Sequence, residues 1–128
     1  MSRKTLKQDY KINAPISKVW QALIDPKLID AWGGGPAKMS DKIGFEFSLW
    51  GGDVYGKNIK VVSEKLLAQD WYGGEWAKPS KLEFKLSFKD GLTTVVLTQS
   101  DIPDSEFDDI ADGWKRYYFG EIKKLLEK

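Results

Sequence analysis

The sequence contains neither cysteine nor histidine. Without cysteine, no disulfide bond and no thiolate metal site can form, and nothing in the sequence requires an oxidising compartment. The two absences also remove the commonest general base, the commonest metal ligand and the thiol nucleophile. We therefore expect a protein that is not an enzyme and that carries no cofactor and no metal ion.

Strong charge of one sign and long hydrophobic runs are missing as well. The 20 basic and 19 acidic residues leave a formal net charge of +1, which gives no long-range field to attract nucleic acid. Only Arg3 and Arg116 carry the planar guanidinium that suits phosphates and base edges. No apolar run approaches the roughly 20 residues of a membrane-spanning helix. We expect a cytoplasmic protein that binds neither nucleic acid nor membranes.

Hydrophobic and aromatic residues make up 41% and 13% of the 128 residues. This is enough apolar surface for one domain with a core of its own. No linker, internal repeat or low-complexity tract interrupts the chain. The composition therefore predicts a single domain over residues 1–128.

The N-terminal quarter predicts one strand followed by two short helices. Residues 5–12 alternate between apolar and charged side chains, as a half-buried strand does. Asn13 can cap a helix whose first turn contains Pro15 and which ends near Asp25. A second helix over residues 26–32 ends at a run of glycines, which cannot continue it.

The middle of the chain has the period of two that is typical of strands. Short glycine-containing turns separate the runs, so successive strands should pair antiparallel as a meander. The predicted strands cover residues 45–50, 54–62, 66–72, 82–88 and 92–100.

The last segment predicts one long amphipathic helix after a break at residues 101–104. Ser105 and Asp108 have the spacing of a capping box at its start. Because a broad apolar stripe must be buried, we expect the sheet to wrap around this helix, giving an α+β helix-grip fold with about six or seven strands. The stripe consists of Phe107, Ile110, Trp114, Tyr117, Tyr118, Ile122 and Leu125.

Aromatic residues are the first candidates for a binding site. Six tryptophans are many for this length, and most of them should lie in the core. Alternatively, some of the aromatic side chains line a pocket between the helix and the sheet that suits a small apolar ligand. The candidates for this pocket are Trp32, Phe47, Trp71, Trp114, Tyr117 and Tyr118.

An aromatic residue followed by two glycines occurs three times, after Trp32, Trp50 and Tyr72. Glycine supplies positive φ in tight turns, which is one explanation of the motif. The other hypothesis is that the three loops gather at the mouth of the pocket.

A row of lysines is the second candidate site. Lys81, Lys85 and Lys89 alternate with apolar residues on one predicted strand, and Lys78 comes just before it. Such a row usually serves solubility and prevents edge-to-edge association of sheets. It could also steer an acidic protein surface towards this face.

Several motifs resemble the family of activator of heat-shock protein 90 ATPase homologues, within the START-like or helix-grip superfamily. The start of the chain is similar in Ala14-Pro15, Val19-Trp20, Asp25-Pro26 and Trp32. More specific are residues 47–52 (FSLWGG) and residues 113–119 (GWKRYYF).

The resemblance implies a curved antiparallel sheet that grips the last helix, with an apolar cavity between them in many relatives. In eukaryotic members the similar domain contacts the chaperone and helps to stimulate its ATPase. Those members have a further N-terminal domain that makes the principal chaperone contact, and we expect this chain to lack it. The expected function is therefore a co-chaperone-like binding module with a heat-shock protein 90-type chaperone or another acidic protein surface as partner. The alternative is the binding or transport of a lipid, sterol or aromatic compound in the cavity.

Overall fold

The computed structural model of the chain describes residues 3–74 and 76–127. Within them, six strands form one antiparallel sheet. The strands are β1 (Arg3–Ile12), β2 (Glu46–Leu49), β3 (Val54–Val62), β4 (Leu66–Tyr72), β5 (Ser80–Lys89) and β6 (Leu92–Pro103). Their order in the sheet is β1-β6-β5-β4-β3-β2, so β2 to β6 form a meander and β1 pairs with the last strand.

Two short helices follow β1, namely α1 (Ile16–Ile24) and α2 (Pro26–Trp32). The expected cap at Asn13 is wrong, because Pro15 occupies the N-cap position and no side chain bonds to the first turn of α1. Asn13 instead donates its backbone N–H to a carboxylate oxygen of Glu127 at 2.8 Å. Asp25 does cap α2, since its side chain accepts a hydrogen bond from the backbone N–H of Lys27.

β6 continues to Pro103, so the break expected at residues 101–104 is also wrong. Asp101 has a φ of 59°, and the register shifts in the facing part of β1. The chain bends there and then pairs again, with Ile102 opposite Lys4. The irregularity accommodates Asp101, and the hydrogen-bonded pairing of β1 with β6 continues beyond it to Pro103.

The C-terminal helix, α3, covers residues 107–126 in three continuous segments. Phe107–Gly113 and Gly120–Leu126 are α-helical, and Trp114–Phe119 between them is π-helical. The expected capping box at Ser105 does not form. A 3-10 turn at Asp104–Glu106 precedes α3, and no side chain caps the start of this turn or the start of α3.

The π-helical segment changes which residues face the sheet. A π turn holds more residues than an α turn, since its hydrogen bonds join residues i and i+5. Trp114, Tyr118 and Ile122 are buried as expected, but Phe119 is buried too and Tyr117 is 61% exposed. The predicted place of Tyr117 in the buried stripe was therefore wrong, because α-helical spacing does not hold across this turn.

The core lies between α3 and the concave face of the curved sheet. The ring of Phe84 on β5 lies 5.6 Å from Trp114, 6.0 Å from Tyr118 and 5.7 Å from Phe119, centroid to centroid. The buried residues Trp20 and Leu23 of α1 belong to the same core. The predicted α+β helix-grip fold is thus confirmed. None of the helices in the described part of the chain has the length and apolar character needed to cross a lipid bilayer.

Candidate functional site

A cleft of about 500 Å³ lies beside α3, between it, the end of α2, the β2–β3 turn and β4. Pockets of this volume are in the range that holds small molecules. Its wall is mainly aromatic, and three carboxylates complete the polar part. The lining residues are Trp32, Gly33, Trp50, Asp53, Val54, Trp71, Gly73, Asp109, Ile110, Gly113, Trp114, Tyr117, Tyr118 and Glu121.

Five of the six aromatic side chains of the cleft form one continuous cluster. Tyr118 lies at its centre, 4.6 Å from Trp32 and 4.6 Å from Trp114 between ring centroids. Trp50 extends the cluster on one side, 6.2 Å from Trp32, and Trp71 on the other, 5.6 Å from Trp114. Tilted and edge-on pairs at these distances stabilise one another, so the packing of these rings against each other holds the wall together.

Two of the indole N–H groups point into the protein. Trp32 donates to the backbone oxygen of Ala22 at 2.9 Å, and Trp114 donates to the side-chain oxygen of Gln99 at 2.8 Å. These hydrogen bonds fix both rings and leave their carbon atoms to line the cleft. The hydroxyl of Tyr118 stays protonated, because burial raises its pKa far above the usual value.

The position of Trp50 depends on an unusual turn. Trp50, Gly51 and Gly52 all have positive φ, at 49°, 67° and 107°. The turn is held because Trp50 donates its backbone N–H to the Gly34 oxygen at 2.8 Å, and Gly51 donates to the Pro36 oxygen at 3.0 Å. These bonds join the first two aromatic-Gly-Gly loops and bring Trp50 beside Trp32.

The third aromatic-Gly-Gly loop reaches the cleft through Gly73, while its aromatic residue Tyr72 is not part of the lining. Tyr72 stacks on Tyr55 instead, with centroids 4.9 Å apart, on the other face of the sheet. All three loops therefore border the cleft, although only two of them contribute their aromatic ring.

Five of the six residues predicted for the pocket lie in the lining of the cleft: Trp32, Trp71, Trp114, Tyr117 and Tyr118. Phe47 is the exception. It is buried in the core, and its ring end packs over Gly56, where a methyl group would come within 2.9 Å of it. Phe47 therefore does not line the described cleft, because its ring covers Gly56, its partner on the neighbouring strand β3.

Sequence reasoning missed Trp50 and the three carboxylates as lining residues. The Trp50-Gly51-Gly52 motif was a visible signal of a turn. The place of Trp50 in the lining, however, depends on its hydrogen bond to Gly34, which lies 16 residues earlier in the chain. Nothing in the local pattern connects Asp53 with Asp109, because only the packed fold brings them to one cleft.

The lysines lie on the opposite, outer face of the sheet. Lys81, Lys85 and Lys89 are exposed on β5, and Lys78 is exposed in the connection before it. Two of them are near carboxylates: Lys81 lies 2.7 Å from Asp70, and Lys85 lies 3.8 Å from Glu83. The row is therefore partly neutralised and is separated from the cleft by the sheet.

Comparison with known sequences reveals a family match over most of the chain. Residues 13–127 match the family described as "Activator of Hsp90 ATPase homolog 1-like protein". Activator of 90 kDa heat shock protein ATPase homolog 1 of Mus musculus is 29% identical over 95% of this chain. The activator of 90 kDa heat shock protein ATPase homolog of Dictyostelium discoideum is 28% identical over 94% of it. The chain spans only about a third of these relatives, 36% and 32% of their length.

Solved structures share the fold over nearly the whole chain. An HSP90 activator from Plasmodium falciparum, PFC0360w, superposes with a TM-score of 0.89 at 19% identity, covering 97% of this chain and 96% of that one. The Aha1 dimer from Colwellia psychrerythraea superposes with a TM-score of 0.82 at 18% identity, covering 96% of each chain. At these identities the likeness extends to the fold and not to the function.

Proposed function

Because the chain belongs to the family of activator of Hsp90 ATPase homolog 1-like proteins, we propose that it is a binding module without catalysis of its own, whose partner is an Hsp90-type chaperone. The observation that carries the proposal is the family match over residues 13–127. It is supported by relatives named for Hsp90 ATPase activation, which align with 94% to 95% of this chain. The chain spans only about a third of those relatives, and stimulation of the ATPase is therefore proposed and tested separately from binding.

The surface that we propose for this contact is the lysine row of β5. Three exposed lysines spaced four residues apart extend over about 26 Å, at roughly 3.3 Å per residue. Two of them are near Asp70 and Glu83, and exposed pairs of this kind exchange partners at little cost. An acidic chaperone surface could therefore replace these carboxylates, and its charge would raise the rate of association.

The test uses the full chain and the Hsp90-type chaperone of the same organism. NMR spectra of the isotope-labelled chain, recorded with and without the unlabelled chaperone, report binding, and the chaperone's rate of ATP hydrolysis reports stimulation. We expect chemical-shift changes centred on β5 and a Kd that rises with salt, because exposed charges are screened. Unchanged spectra together with an unchanged ATPase rate would exclude the chaperone as partner.

A charge variant and a matched control locate the surface. Changing Lys81, Lys85 and Lys89 to glutamine should weaken binding of the chaperone about 10-fold or more, because each of these three charges contributes a part of the affinity. The control changes three exposed lysines on the helical side, Lys18, Lys27 and Lys115, to glutamine, which removes the same charge. Equal loss of affinity in both variants would show that net charge, and not this surface, is responsible.

The aromatic cleft supports a second candidate function, the binding of a small apolar ligand. The observation in its favour is the volume of about 500 Å³ with six aromatic side chains in the lining. Fluorescence of these tryptophans, titrated with lipids, sterols and aromatic compounds, tests it. We expect quenching or a spectral shift with at least one class, and no response to any class would exclude this candidate.

A further inference from the structure

Three carboxylates line the aromatic cleft. Asp53 lies in the turn before β3, and Asp109 and Glu121 lie on α3. Glu121 forms an ion pair of 3.2 Å with Lys124, whereas Asp53 and Asp109 have no ion pair with any residue that the structure describes. Two exposed negative charges thus remain uncompensated where solvent meets the aromatic wall.

No lysine or arginine belongs to the part of the cleft lining that the structure describes. The indole N–H groups of Trp32 and Trp114 are already bonded to Ala22 and Gln99, so of the four indoles in the lining only Trp50 and Trp71 could offer an anion a donor, and that donor is neutral. An anionic ligand would meet carboxylates without any opposing charge. The cleft therefore disfavours fatty acids and phosphates, although its walls are apolar.

The helix dipole favours only one of the three carboxylates by its position. Asp109 lies in the first turn of α3, where a negative charge complements the helix dipole. Glu121 lies in the last third of the helix, where the dipole gives a carboxylate no stabilisation. Asp53 lies outside any helix, at the end of the Trp50 turn.

Aromatic faces attract cations. A cation within about 6 Å of a Trp or Tyr ring centroid is stabilised by the ring's quadrupole, and aromatic cages bind quaternary ammonium groups in this way. Here Trp50, Trp71 and Tyr117 stand in one lining with Asp53 and Asp109. We propose that the cleft binds a small organic cation, a quaternary ammonium or protonated amine that carries an apolar group. This inference deepens the second candidate function and rests on the cleft being a ligand site.

The test compares three probes of similar shape and different charge. Phenyltrimethylammonium is the cation, tert-butylbenzene its neutral isostere and benzenesulfonate the anion. Tryptophan fluorescence and the NMR signals of the indole N–H groups of the full chain give the Kd of each. We expect the cation to bind roughly 10-fold more tightly than the neutral probe and the anion to give no saturable signal. Higher salt should weaken binding of the cation alone.

Isosteric variants identify the charges responsible. Asp53→Asn and Asp109→Asn should each raise the Kd of the cation by roughly 3- to 10-fold and leave that of the neutral probe unchanged. Asp108→Asn is the matched control, because Asp108 is the exposed neighbour of Asp109 and is not part of the lining. Trp50→Leu should weaken binding of the cation more than that of the neutral probe.

The outcomes separate the two levels of the proposal. Equal affinity for the cation and the neutral probe overturns the preference for cations and leaves the cleft as an apolar ligand site. An equal effect of Asp108→Asn and Asp109→Asn assigns the preference to the general field of the helix and overturns the local site. Absence of binding by all three probes overturns both the cation site and the second candidate function.

Discussion

Trp114 on α3 donates a hydrogen bond of 2.8 Å from its indole nitrogen to the side-chain oxygen of Gln99 on β6. Both residues are buried, with 3% and 0% of their surface exposed. The amide nitrogen of Gln99 has no hydrogen-bond partner among the described residues, so the pair is held by this one bond. It fixes the indole between the sheet and the cleft, and Trp114 therefore belongs to the core and to the candidate site at once.

Trp114→Ala should lower the free energy of unfolding by about 3 to 5 kcal/mol, because it opens a cavity in the core and removes the partner of Gln99. Urea denaturation measures the change. Tyr117→Ala is the control from the same helix: with 61% exposure it should cost less than about 1 kcal/mol. A nearly neutral Trp114→Ala would contradict the core role and leave the ring as a ligand contact only.

Two glycines of α3 should respond to alanine with opposite signs. A methyl group at Gly113 meets no atom within 4 Å, so Gly113→Ala should stabilise the protein by about 0.5 to 1 kcal/mol. A methyl group at Gly120 would overlap the backbone oxygen of Lys115, five residues earlier, so Gly120→Ala should destabilise it by about 1 to 3 kcal/mol. Thermal unfolding of both variants checks the pair, and stabilisation by Gly120→Ala would argue against the π-helical segment.

A buried polar network attaches the chain before β2 to the sheet. Asn58 donates to the backbone oxygens of Ser40 at 2.8 Å and Lys42 at 3.2 Å, and accepts from Gln69 at 2.9 Å. Asn58→Ala should cost about 1 to 3 kcal/mol in urea denaturation, because it leaves the buried amide nitrogen of Gln69 with only the weak contact to the Met39 sulfur at 3.9 Å.

The matched control for this network is Asn13→Ala. The side chain of Asn13 is exposed and makes no cap, so its removal should change the free energy of unfolding by less than about 0.5 kcal/mol. A similar cost for both asparagines would mean that the Asn58 network contributes nothing specific.

Neutralising the lysine row should leave the fold intact. In the variant Lys81→Gln, Lys85→Gln, Lys89→Gln, the ion pair with Asp70 and the weaker one with Glu83 are lost. Exposed pairs of this kind contribute at most about 1 kcal/mol each, so the melting temperature should fall by only a few degrees. Calorimetry of this variant and of the unchanged protein measures the difference in melting temperature. A large loss of stability would disqualify this variant as a test of partner binding.

Stability should be constant from about pH 6 to pH 9 and fall above pH 10. With no histidine and no cysteine, no unperturbed side chain titrates in the lower range. Burial, aided by Asp9, raises the pKa of Tyr10 to about 12, and burial raises the pKa of Tyr118 further. The hydrogen bond from Lys81 to Asp70 raises the pKa of Lys81.

All three groups act in the same direction. Each has a folded-state pKa above its unfolded value, so the unfolded chain loses the proton first as the pH rises, and the stability present below about pH 10 is lost. Urea denaturation at pH 7, 9, 10.5 and 11.5 measures the fall, and Tyr10→Phe should make it shallower. A decline between pH 6 and pH 9 would contradict the expectation.

The family membership could be predicted from the sequence because motif residues identify it. The fold could be predicted because the alternation of strands and the spacing of helices are local patterns. β3 and β4 have the predicted bounds, as does α2. The burial of Trp114 and Tyr118 followed from their place on the apolar stripe. Local spacing determines which face a residue occupies as long as the element stays regular.

The tertiary structure decided what depends on irregular backbone or on distant segments. The π-helical segment exposes Tyr117 and buries Phe119, because its wider turn breaks the α-helical spacing. The left-handed turn at Trp50 completes the aromatic wall only through its bond to Gly34. Asp53 and Asp109 share a cleft although 56 positions separate them in the chain, since packing of α3 against the sheet and its loops brings them together. A site whose walls come from separate segments exists only once the chain has closed around its last helix.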